Sequence, residues 1–95
     1  MNFSFSFSSQ LNQPRSMCIS KKTGAIYIAD TANHRIQRWY IGDSQGVTIA
    51  GNPAGISGTD SAHLSYPRNV ALSTDEKHLF VSDTANSRIQ IFELV

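Results

Sequence analysis

Short runs of apolar and alternating residues follow one another along this chain, and none has helical periodicity. Phenylalanine alternates with serine over residues 3–7, which predicts a leading strand within residues 1–10. Residues 25–29 are apolar throughout and include the β-branched Ile26 and Ile28, so they predict a strand buried on both faces. Further strands are predicted over 16–20, 35–41, 46–50, 69–72, 78–82 and 88–95.

Turn signals separate these runs. Residues 21–24 predict a hairpin, because Gly24 adopts a positive φ at little cost. Asp30 and Asn33 predict the next turn, since their side chains can bond to nearby backbone groups and Asn tolerates the left-handed region. Residues 51–63 are rich in glycine and include a proline, which predicts an irregular connecting loop.

The chain contains an internal repeat. Residues 30–37 read DTANHRIQ and return as DTANSRIQ over 83–90, 53 positions later. The same offset relates Leu11 to Leu64, Pro14 to Pro67, Arg15 to Arg68 and Trp39 to Phe92. A meander of four antiparallel strands copied at about this spacing is typical of a β-propeller blade.

The repeat predicts an all-β fold of two four-stranded antiparallel blades belonging to an incomplete propeller. We divide the chain into a leading strand (1–10), a first blade (11–50), a Gly/Pro-rich connecting loop (51–63) and an incomplete second blade (64–95). The second blade stops before its fourth strand. Residues 1–10 are then the outer strand of a preceding blade or of a partner's blade.

The recurring residues resemble the NHL repeat. The resemblance rests on Leu11 and Pro14, on the apolar run that ends at Ile19, and on the segment from Gly24 to Ile36, and it returns in the second copy. That copy departs from the pattern with Lys77 in place of Gly24 and Ser87 in place of His34. The resemblance implies a propeller, commonly of six blades, that binds protein or RNA; one enzymatic branch of the family is a peptidylglycine amidating lyase.

From this resemblance we predict a non-enzymatic segment that binds or scaffolds proteins. The alternatives are the substrate-recognition part of a ubiquitin-ligase-like NHL protein, an RNA-binding NHL face, and a relative of the amidating lyase. The three histidines, His34, His63 and His78, lack metal-ligand spacing, and no catalytic constellation is visible, so no metal or cofactor is expected.

Composition excludes few classes of binding partner. The formal charge of +1 over 95 residues exerts no overall attraction for nucleic acid or anionic lipid. Cys18, the single cysteine, cannot form an intrachain disulfide, and its apolar neighbours Met17 and Ile19 predict a buried structural thiol. No apolar run approaches the roughly 20 residues of a membrane span, and no secretory signal is visible. We therefore expect a soluble chain without a membrane partner, cytoplasmic by default.

One end of the blades is the predicted ligand-binding face. In an antiparallel meander, the turn between the second and third strands lies at the same end as the loop to the next unit. Asp and Asn can accept hydrogen bonds there, and Arg offers a planar donor fork. Alternatively, Asp and Asn close their own turns and Arg pairs with Asp, because residues repeated in every blade usually hold blades together. The candidate residues are Asp30, Asn33, His34, Arg35, Arg68, Asp83, Asn86 and Arg88.

Two blades cannot close a ring, so the sequence predicts that further blades pack against this pair. Further blades belong either to a longer chain or to a homo-oligomer. In one hypothesis, the leading strand of one chain completes the second blade of another, and three chains close a six-bladed ring. The expected ligand is a protein or peptide, with RNA as the alternative.

Overall fold

Seven strands form two antiparallel sheets in the computed structural model, which describes residues 11–94. The first sheet places β1 (Pro14–Ile19), β2 (Ile26–Asp30), β3 (Arg35–Trp39) and β4 (Val47–Gly51) side by side in chain order. The second contains β5 (Pro67–Leu72), β6 (His78–Asp83) and β7 (Arg88–Glu93). The predicted all-β fold of two blades is confirmed, whereas the leading strand predicted within residues 1–10 falls outside the described residues.

The first strand of each blade begins two residues earlier than predicted. β1 starts at Pro14 and β5 at Pro67, and the register of each strand shifts by one residue immediately afterwards, at Arg15 and Arg68. Proline lacks a backbone N–H and reads as a turn residue in sequence. It is tolerated as the first residue of a strand, next to a bulge.

Two turns use a different residue for the left-handed conformation than the sequence predicts. The turns after β2 and β6 are single 3₁₀ turns, Thr31–Asn33 and Thr84–Asn86. Their left-handed residues are His34 (φ 54°) and Ser87 (φ 53°), one position after the predicted Asn. In the second hairpin turn, which lacks the glycine of the first, Glu76 takes the positive φ (61°).

Strand register sorts the side chains of each sheet onto two faces. In the first blade, Cys18 pairs with Tyr27, and Ala29 with Ile36, so these four residues lie on one face. They pack against Val70, Leu79 and Val81 of the second blade in a single apolar cluster. We call these two facing surfaces the inner faces. The second blade meets the first mainly through β5, which lies against β1 and β2, so the blades converge at their first strands.

Polar contacts fasten the two blades at opposite ends. At one end, Thr31 Oγ1 donates to the carbonyl of Pro67 at 2.7 Å. At the other end, the Glu76 carboxylate accepts from the Ser20 hydroxyl and, at 3.0 Å, from the backbone N–H of Lys21. These hydrogen bonds fix the relative position of the blades as well as their separation.

Cys18 is only partly buried, although its environment agrees with a structural thiol. Its side chain lies against the apolar cluster between the blades, and burial raises the pKa of the thiol. Met17 and Ile19 are 54% and 55% exposed, because neighbouring strand residues point to the opposite face. The apolar neighbours that suggested burial therefore lie on the opposite face of β1 from the Cys18 side chain.

No helix within residues 11–94 is long and apolar enough to cross a bilayer.

Candidate ligand-binding face

The two 3₁₀ turns, the connecting segment 51–66 and the bulges at Arg15 and Arg68 lie at one end of the blade pair. We call this end the turn face. β2 brings Asp30 there and β6 brings Asp83, at the positions where each strand ends. The structure thus brings all the predicted site residues to one end of the molecule, as the meander argument requires.

Asp30 is the fully buried centre of the first turn. One carboxylate oxygen accepts the backbone N–H of Asn12 at 2.8 Å. The other accepts Arg35 Nε at 2.8 Å and the side-chain amide of Asn33 at 3.0 Å. Arg35 also reaches the carbonyl of Pro53 at 2.7 Å, which ties the connecting segment to the turn. A buried carboxylate needs such donors, since an unpaired buried charge is costly.

Asp83 repeats this arrangement in the second blade. It is fully buried and accepts Ser65 N–H at 2.6 Å, Arg88 Nε at 2.6 Å and the Asn86 amide at 3.0 Å. Burial raises the pKa of Asp83, but the hydrogen bonds from Ser65, Asn86 and Arg88 outweigh it and hold the pKa below the ordinary value.

The connecting segment is held by hydrogen bonds to its backbone carbonyls and by the buried side chain of Leu64, which packs in the apolar cluster between the blades. Arg88 donates to the carbonyls of Thr59, Asp60 and His63, and Asn86 donates to that of Gly58. At its start, Gly51 has φ +86°, and a Cβ there would lie 2.4 Å from the His34 carbonyl oxygen. The segment that contains the predicted irregular loop is therefore held in place at the turn face.

The remaining candidates, His34 and Arg68, differ from this buried set. The backbone N–H of Tyr66 donates to His34 Nδ1 at 3.0 Å, and the two rings meet edge to face with centroids 4.4 Å apart. Tyr66 is half exposed, and Arg68 follows it on the surface. Arg15 occupies the equivalent bulge in the first blade and is also exposed. Within residues 11–94, neither the Arg15 nor the Arg68 guanidinium group has a hydrogen bond or ion pair.

The candidate set therefore has two parts. Six of the eight predicted residues form two carboxylate-centred networks, which is the structural alternative raised from the sequence. Two stand at the surface, together with Arg15 and with Tyr66, which the site prediction did not include. A signal for Tyr66 exists in the repeat, because the first copy has Gln13 at the equivalent position. A contrast between copies marks positions that the blade itself does not require.

The part of the chain that the structure describes contains no group of side chains arranged to bind a metal ion. No group of three or more His, Cys, Asp or Glu side chains within residues 11–94 could hold a metal ion. His63 bonds to Asp60 at 2.6 Å on the surface, and His34 is engaged with Tyr66.

Comparisons with known proteins agree with the internal repeat. The chain is 38% identical over 74 residues to Protein SUPPRESSOR OF QUENCHING 1, chloroplastic, of Arabidopsis thaliana; the match covers 75% of this chain and 7% of that protein. The structure is similar, with a TM-score of 0.66, to an auxiliary nutrient binding protein from Bacteroides thetaiotaomicron VPI-5482. That similarity covers 85% of this chain and 22% of the other at 22% identity, so it concerns the fold alone. The chain spans only a small part of either protein.

The profile of the NHL repeat matches residues 11–39 and 64–92, which together make up more than half of the chain. Each match runs from the segment before the first strand to the third strand of a blade, and each contains one carboxylate-centred turn. The residues that donate hydrogen bonds to Asp30 and Asp83 all lie within these matches, and the chain belongs to the NHL repeat family.

Proposed function

We propose that this chain is a non-enzymatic protein-binding module that holds an extended, acidic peptide segment on its turn face. The observation that supports this proposal is the pair of exposed arginines, Arg15 and Arg68, at equivalent bulges of the two first strands. The first strands are also where the two blades converge. Both guanidinium groups are thus available at one end of the blade junction.

Arginine suits a carboxylate ligand because its planar fork makes paired, charge-assisted hydrogen bonds. The other arginines of this end, Arg35 and Arg88, are committed to Asp30 and Asp83. His34 and Tyr66 add a surface of mixed polarity between the blades. Both differ from their counterparts Ser87 and Gln13, as expected of residues that contact a ligand rather than maintain a blade.

A peptide-display selection with random 12-residue peptides tests the proposal. We expect the enriched peptides to carry Asp or Glu and to bind the purified chain in fluorescence anisotropy. The double variant Arg15→Ala/Arg68→Ala should weaken binding about tenfold or more, since hydrogen bonds to charged groups contribute roughly 1.5–3 kcal/mol each. Binding should also weaken with added salt.

The matched control is Lys21→Ala/Lys77→Ala, which removes the same charge from exposed residues in the turns at the opposite end. It should leave peptide binding unchanged. Equal loss in both double variants would refute a site on the turn face, as would an enriched pool without acidic residues. A labelled single-stranded RNA in the same assay tests the RNA alternative. Because half of the arginines of this end are paired with buried aspartates, we expect the RNA to bind weakly or not at all.

A further inference from the structure

The second blade leaves one apolar face of its sheet exposed, and the first blade leaves an apolar edge strand exposed. In the second blade, register places Ala71, Phe80 and Ile91 in line across β5, β6 and β7, and Ile89 lies on the same face. Phe80, Ile89 and Ile91 are 37%, 62% and 60% exposed. We call this surface face A.

The first blade exposes only the β1 edge of the opposite face of its sheet, because Ile26, Ile28 and Trp39 further along that face are buried in a second apolar cluster. Met17 and Ile19 lie on the side of β1 that points away from the second blade, and both are about half exposed. A groove of about 410 Å³ beside Met17 is lined by Leu11 and Ile28 among others. We call this surface face B. Exposed apolar side chains grouped as on face A are typical of an interaction surface.

The internal repeat shows which surface of the first blade is equivalent to face A. With the offset of 53 residues, Phe80 corresponds to Tyr27 and Ile89 to Ile36. Tyr27 and Ile36 belong to the inner face of the first blade and are 8% and 0% exposed, because β5 and its neighbours cover them. Face A is therefore a second copy of a surface that this molecule already buries.

Face B has the matching relationship to the other inner face. Met17 corresponds to Val70 and Ile19 to Leu72. Val70 is buried in the cluster between the blades, and Leu72 packs against that cluster. Face B is thus the counterpart of β5, the strand through which the second blade mainly meets the first, and face A is the counterpart of the surface that β5 covers.

We propose that a second copy of this chain docks head to tail, with its face B on face A. The docked blades would repeat the intrachain arrangement, in which Thr31 Oγ1 bonds to the Pro67 carbonyl. Thr84 is exposed and corresponds to Thr31, so it would donate to the Pro14 carbonyl of the second copy. Such a contact is heterologous, because each copy contributes a different surface.

Two substitutions between the copies make this interface weaker than the one inside the chain. Glu76, which accepts from Ser20 and Lys21 across the blades, corresponds to Thr23, so no carboxylate of the docked copy faces Ser73 beside face A. His34, which accepts the Tyr66 N–H, corresponds to Ser87. In compensation, face A is more apolar than its counterpart, since Ile91 replaces Arg38. These contrasts predict reversible association rather than a permanent assembly.

Sedimentation velocity of the chain between about 1 and 100 µM provides the first measurement. We expect the wild type to sediment above its monomer mass of 10.5 kDa with rising concentration. The variants Ile89→Glu/Ile91→Glu, on face A, and Met17→Glu/Ile19→Glu, on face B, should each remain monomeric. All four positions are more than half exposed, so the fold should tolerate the substitutions; circular dichroism confirms it.

Mixing the two variants gives the decisive result. A head-to-tail contact leaves face B intact in the first variant and face A intact in the second, so an equimolar mixture should form a 1:1 dimer and nothing larger. Ile56→Glu, in the connecting segment and 58% exposed, is the matched control and should associate like the wild type. A wild type that stays monomeric at 100 µM would overturn the proposal, and so would a mixture that fails to form the dimer. Association of either variant with itself would show an isologous contact instead.

Discussion

Equivalent apolar residues of the two blades can have the same neighbours in sequence and opposite solvent exposure. Ile36 is fully buried, whereas Ile89, 53 positions later in an almost identical octapeptide, is 62% exposed. Asp30 and Asp83, by contrast, are both fully buried. The difference separates two kinds of residue that recur in both copies of the repeat. The Asp, Asn and Arg residues complete a network inside their own blade, while the apolar residues beside them require a neighbouring blade.

Removal of the buried carboxylates should produce the largest effect. Asp30→Ala leaves Arg35 and the Asn12 N–H without their acceptor, and breaking a buried ion pair in this way costs roughly 3–5 kcal/mol. Asp83→Ala should cost less, because Arg88 is 32% exposed against 14% for Arg35 and can regain water. Urea denaturation of the two variants measures the difference. Asp43→Ala, which removes only the exposed acceptor of the Tyr40 N–H, is the control and should cost about 1 kcal/mol or less.

Substitution of Ile36 and of Ile89 tests whether burial of this repeated position depends on the neighbouring blade. Ile36→Ala removes a fully buried side chain and should lower the free energy of unfolding by about 2–5 kcal/mol. Ile89→Ala should change it by less than about 0.5 kcal/mol. Both are measured by urea denaturation near 1 µM, where association contributes least. Equal losses would mean that the second blade's outer face is covered.

The His34 and Ser87 contrast should have a smaller effect. His34→Ser removes the acceptor of the Tyr66 N–H and the edge-to-face ring contact, for an expected loss of about 1 kcal/mol. Ser87→Ala, at the equivalent exposed turn of the second blade, should be nearly neutral. Thermal unfolding of both variants checks this prediction. A loss in Ser87→Ala as large as that in His34→Ser would show that the turn, and not the blade contact, is being measured.

The smallest effect is expected from pH. The hydrogen bond from Ser20 holds the pKa of Glu76 below its ordinary value of 4.5, so the folded state favours the charged carboxylate. Its contribution is therefore present above about pH 4.5 and is lost as the pH falls through the folded pKa. Glu76→Gln keeps an acceptor for Ser20 but does not titrate. The stability difference between wild type and variant should shrink below pH 4.5, and a constant difference between pH 7 and pH 3 would contradict the assignment.

Local sequence accounted for the seven strands within residues 11–94 and for the end of the molecule where the candidate residues meet. Strand alternation and turn chemistry act over a few residues, so they are legible without the fold. The bulges at Arg15 and Arg68 were not predicted, because a bulge is a property of strand pairing. The half-exposed Met17 and Ile19 were misread for a related reason, since apolar character does not state which face of a strand is covered.

By itself the sequence determined the repeat, its NHL character and the strand order, since these follow from short-range patterns copied at a constant interval. Only the tertiary structure decided which candidate residues stabilise the fold and which are available at the surface. Asp30 and Asp83 lie in hydrogen-bond networks, whereas Arg15 and Arg68 are exposed at the turn face and His34 contacts Tyr66 between the blades. The physical reason is that burial and pairing depend on groups distant in sequence, which identical octapeptides meet differently in the two blades.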